Sequence, residues 1–83
     1  MLFKKLQSEL LVGCLDSESS MAYVSAIREV AVAEKSEDFK FDRQSYETLA
    51  ATIAELAKEI DGDFGIAYRD IVERVRSHAL SLS

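Results

Sequence analysis

The sequence predicts an all-α fold, a small four-helix bundle built from two helical hairpins. Three observations carry that expectation. The 83-residue chain contains no proline and only three glycines, which suits long helices with few irregular loops. Apolar residues recur at steps of three and four through most of its length, the period of one helix face. The second half also carries local start and stop signals that bound its helices.

The first helix is expected over residues 2–14. Phe3, Leu6, Leu10 and Cys14 share one face, while Lys4, Lys5, Ser8 and Glu9 fall largely on others. The segment invites a second reading, because MLFKK followed by LLVGC resembles a bacterial lipoprotein signal. A secretory apolar region needs roughly 7–15 uninterrupted residues. Here Gln7, Ser8 and Glu9 break the run, and a carboxylate in so short a segment is costly to place in lipid. LLVGC therefore reads as core.

Asp16, Ser17, Ser19 and Ser20 form a polar break rich in capping residues. The second helix follows over 20–35, with Val24, Ile27, Val30 and Ala31 as its expected apolar face. The run VAVA at 30–33 is locally strand-like because valine is β-branched, but four residues do not outweigh the helical period.

A charged connector, EKSEDFKFD, leads into the clearest signature in the chain. Asp42 is placed to cap the third helix (42–61), with Phe41 one residue before the cap and Tyr46 at its fourth helical position. That is the spacing of a hydrophobic staple. Tyr46, Leu49, Ile53, Leu56 and Ile60 then form a heptad seam, flanked by Ala50, Ala54 and Ala57. Gly62 stands where a left-handed residue would close the helix.

The fourth helix (64–82) repeats the pattern with Phe64, Tyr68, Ile71, Val75, His78 and Leu82. Asp70 and Arg74 are spaced for an i,i+4 ion pair. The short link between the last two helices predicts an antiparallel hairpin. Leu49, Ile53, Leu56, Ile71 and Val75 are its expected buried residues. Tyr23, Tyr46 and Tyr68 fall at nearly equal intervals, which helices of equal length produce without any repeat.

Totals narrow the function. A composition 48% hydrophobic and 30% charged is that of one globular domain, residues 1–83. No apolar run approaches the roughly 20 residues needed to span a bilayer. One cysteine cannot build an internal disulfide, so a reducing, cytoplasmic setting is expected. The net charge of −5 argues against broad affinity for nucleic acid or anionic membranes.

Candidate chemistry is sparse. EIDGDFGIAYRD gathers acids and glycines, yet starting a calcium loop at Glu59 puts Phe64 at the glycine position, and starting at Asp61 puts Ile66 there. His78 is the sole histidine and sits on a seam. A Cys14–His78 dyad would still lack an orienting group and a cleft. The Glu-x-x-His motif of bundle di-metal sites is absent, since Val75 stands three residues before His78. No catalytic residue, metal, cofactor or small-molecule substrate is expected.

The expected function is a non-enzymatic protein–protein interaction or regulatory adaptor module. Its partner-binding residues should be apolar side chains left over after the core is assigned: Leu2, Leu11 and Leu15 on the first helix, Tyr23 and Val32 on the second. The partner would be another protein or a second copy of the chain, the latter giving a homodimer. The alternative is a small DNA-associated transcriptional regulator using a helix-turn-helix-like arrangement of the last two helices. Against it, the positions that would read bases are Gly65, Ile66 and Ala67, which offer no hydrogen-bonding side chain.

Overall fold

A computed structural model describes residues 2–11 and 17–82 of the chain. The described residues are helical almost throughout, with no strand among them. The order is α1 (Leu2–Leu6), a π-helical turn (Gln7–Leu11), α2 (Ser17–Glu34), α3 (Arg43–Lys58) and α4 (Gly62–Ser81). None of these helices is long and apolar enough to cross a membrane.

The third helix starts as its sequence requires. Asp42 is extended, and its carboxylate accepts from the Ser45 amide at 2.8 Å. The Phe41 ring meets Tyr46 at 6.5 Å, closing the staple. Phe41 takes a left-handed backbone (φ 57°) to do so, a conformation uncommon outside glycine. Asp70 and Arg74 form the expected ion pair at 3.2 Å, and Arg74 also reaches Glu9 at 3.7 Å.

α3 and α4 pack along their lengths as an antiparallel hairpin, and α2 packs on α4. Tyr23 donates to Asp70 at 2.6 Å near one end of α2. At the other end Glu34 bonds Tyr46, whose ring lies against His78. α2 thus runs broadly parallel to α4, with α4 central. α1 lies on α2 and inserts Leu2 and Leu6 into the common core.

The buried stripe differs from the expected one in a consistent way. On α2 it consists of Ala22, Ala26, Ile27, Val30 and Glu34, whereas Val24 is 47% exposed. On α3 it is Tyr46, Leu49, Ala50, Ile53 and Ala57, whereas Leu56 is half-buried. Phe64 and Leu82, expected on the seam of α4, lie at the surface. A straight helix drifts by roughly 20° per heptad from a 3.5-residue seam. Here the buried stripe turns toward the alanines, where small side chains let helices approach closely.

The helix boundaries shift too. α2 begins at Ser17, ahead of the expected 20, and α3 ends at Lys58, short of 61. Glu59 and Ile60 close α3 with amide bonds back to Leu56 and Ala57. Gly62 is left-handed (φ 72°) but opens α4 instead of closing α3. The first helix ends at Leu6 and widens into the π turn, and the rest of its expected span lies outside the described residues.

Gly65 has a role that its sequence context did not reveal. It is buried, and a Cβ placed there would sit well inside contact distance of the Ile60 carbonyl oxygen, a backbone atom. Helix propensity alone favours alanine over glycine by about 1 kcal/mol. The clash reverses that sign. Gly65→Ala is expected to destabilise by about 1–3 kcal/mol in urea unfolding, and a stabilised variant would contradict this packing of the α3–α4 turn.

Candidate functional site

Two places gather side chains beyond simple core packing. The first is a buried polar cluster around Glu34, which is 3% exposed and is the one buried charged residue among those described. It occupies a core position at the end of α2, one turn beyond Val30. Its carboxylate accepts from the Leu2 amide at 3.1 Å, the Phe3 amide at 3.0 Å and the Tyr46 hydroxyl at 2.5 Å. Three donors around one group suit an acceptor-only carboxylate. Two of them are first-turn amides of α1, which have no partner within their own helix. Glu34 therefore caps α1 from a different helix.

Tyr46 joins this cluster to its surroundings. Its ring meets Phe39 at 4.9 Å and His78 at 4.7 Å, both edge-on. Burial first, then the Glu34 carboxylate, hold its phenol protonated far above the ordinary tyrosine range. His78 is half-buried, and burial, with Lys5 as the second cause, holds its imidazole below the ordinary histidine range, partly opposed by Glu34.

This arrangement has a pH consequence. The folded state disfavours the protonated ring, so below the ordinary histidine value of roughly 6.5 the unfolded chain takes up its proton first. Stability is then unaffected by His78 above that value and declines as pH falls through and below it. His78 is the single histidine, so His78→Phe should flatten the decline between about pH 7 and about pH 5.5 in urea midpoints. An identical slope in both proteins would refute the assignment.

The second place is an open groove of about 610 Å³ between α2 and α3. These two helices touch each other only slightly, because both lean on α4. Ala33 and Leu49 form the floor above the fully buried Ile53, Phe39 closes the connector end, and Val32 stands on the α2 wall, 62% exposed. Thr48 and Thr52 line the α3 wall. Glu29, Asp38 and Asp42 also line it, with Lys40 among them. Asp42 is held below the ordinary carboxylate range, chiefly by the Ser45 amide. A smaller cleft of about 220 Å³ lies between α1 and the end of α4, lined in part by Lys5, Glu9, Arg74 and His78. Its Arg74 already engages Asp70 and Glu9.

The residues expected to bind a partner are placed unequally. Val32 lines the groove. Leu2 does not belong to a surface: it is 4% exposed and packs in the core. Its amide is bound by Glu34, which draws the start of α1 inward. Tyr23 is half-buried and turned toward α4 by its bond to Asp70. Leu15, and the side chain of Leu11, lie outside the described residues. Sequence reasoning missed the connector, whose Phe39 and Asp38 supply one end of the groove.

Among the described residues, no group of three or more histidine, cysteine, aspartate or glutamate side chains is placed to hold a metal ion. Comparison with protein families, with curated proteins and with solved structures finds no match for this chain.

Proposed function

We propose that this chain is a non-enzymatic interaction module that holds a helix of another protein in the groove between α2 and α3. The observation that carries the reading is that groove itself. It is open, floored by Ala33 and Leu49, and walled by the exposed Val32. α2 and α3 touch only slightly and leave an open groove between them, the kind of surface on which an amphipathic helix buries its apolar face.

The polar cluster supports the non-enzymatic half of the reading. Glu34 is enclosed and occupied by three donors, and Tyr46 is a buried phenol held protonated. Neither is available to a reacting molecule. The lengthwise antiparallel packing of α3 on α4 favours protein binding over base reading, since a helix-turn-helix crosses its two helices at roughly 90–120°. A reducing, cytoplasmic setting fits the single cysteine.

Val32→Glu tests the proposal, because Val32 is exposed and its replacement leaves the core intact. The variant should keep its unfolding free energy in urea within about 0.5 kcal/mol of the parent. It should lose the partner captured by the parent protein from host extract. Capture that survives the change would place the partner elsewhere.

A further inference from the structure

We infer that the helix held between α2 and α3 carries basic residues. This rests on the groove being the docking site, and it specifies the partner's chemistry. Three carboxylates line the groove, Glu29 on α2 and Asp38 and Asp42 in the connector, against the single cation Lys40. Asp38 and Asp42 stand at the connector end beside Phe39, with Lys40 between them in sequence, and Glu29 stands on the α2 wall away from the connector, which leaves the rim with an excess of acids.

Their availability differs from that of the other acids nearby. Glu47 is paired with Arg43, and Glu34 is enclosed by its three donors. Asp42 uses one oxygen on the Ser45 amide and stays exposed. Asp38 and Glu29 make no ion pair among the described residues. An apolar floor with an acidic excess along its rim selects a helix whose apolar stripe is accompanied by lysine or arginine. It disfavours an acidic helix through like-charge contact. A second copy of this chain is a poorer occupant, because its net charge of −5 is of the same sign as the rim.

The experiment uses the full chain and three synthetic amphipathic helices with one leucine stripe in common, ending in lysines, glutamines or glutamates, with affinity read by fluorescence anisotropy. The lysine-ended peptide is expected to bind about tenfold more tightly than the glutamine-ended one, and the glutamate-ended one more weakly still. The preference should shrink as salt shortens the screening length below about 8 Å. A Glu29→Lys/Asp38→Lys double variant, which alters exposed or rim positions only, should reverse the ranking. Equal binding of all three peptides, abolished by Val32→Glu, would overturn the charge inference and leave the groove intact as a docking site. If no peptide binds and sedimentation shows the chain self-associating through Val32, the occupant is a second copy and the inference fails. If no peptide binds and the chain stays monomeric, the groove reading fails with it.

Discussion

Replacing Glu34 with alanine is expected to destabilise the protein by about 2–4 kcal/mol, one of the two largest single-residue effects in the fold. The substitution removes the partner of three donors at once: the amides of Leu2 and Phe3 and the hydroxyl of Tyr46. Leu2 and Tyr46 are buried, so water does not readily replace the lost acceptor. Tyr46→Phe provides the comparison. It deletes one bond and leaves both α1 amides satisfied, so its cost should be smaller, about 0.5–1.5 kcal/mol. The two variants should also differ in where the damage appears. Hydrogen exchange should accelerate first in α1 for Glu34→Ala, because α1 is short and held mainly by Leu2, Leu6 and this cap. Uniform exchange through α1, α3 and α4 would show that Glu34 supports the whole bundle and not the seating of α1.

Glu34 also marks a limit of what the sequence reveals. Nothing local distinguishes it from Glu37 or Asp38 in the same charged run. Its position is set by the α2 face that ends in the core, and its donors come from residues some thirty positions earlier and a dozen later. A contact defined by the return of α1 across α2 has no short-range signature. The cap of α3 is the opposite case. Asp42, Ser45, Phe41 and Tyr46 lie within six residues, so the backbone amide needing an acceptor and the side chain supplying it are visible together. The same distinction holds for the groove. Val32 was legible as an apolar side chain without a place in the core, whereas the opening it borders depends on α2 and α3 both leaning on α4. Leu2 was misassigned for the reason that hides Glu34, since the bond between them pulls the start of α1 inward.

Ile53→Ala should cost about 2–5 kcal/mol, with Leu56→Ala well below it, although side-chain size and the heptad pattern would rank the two alike. Ile53 is wholly enclosed at the middle of α3 and Leu56 only half so. The cause is the company each keeps. Ala50 and Ala57 flank Ile53 on the buried stripe, and Gly65, Ala67 and Ala79 lie buried on α4. Small residues on both helices bring their backbones together, so the line of closest approach runs along the alanines and the larger seam residue on the far side is left at its margin. Removing Ile53 opens a cavity that the rigid α3–α4 contact cannot easily close. Truncating Leu56 mostly exchanges partly wet surface for water, and a cost of about 1–2 kcal/mol is expected from the area involved. Urea denaturation of the two variants at equal slope decides the matter. Equal losses would mean that the buried stripe follows the leucine seam after all, and that α3 is rotated about its axis relative to the arrangement described here.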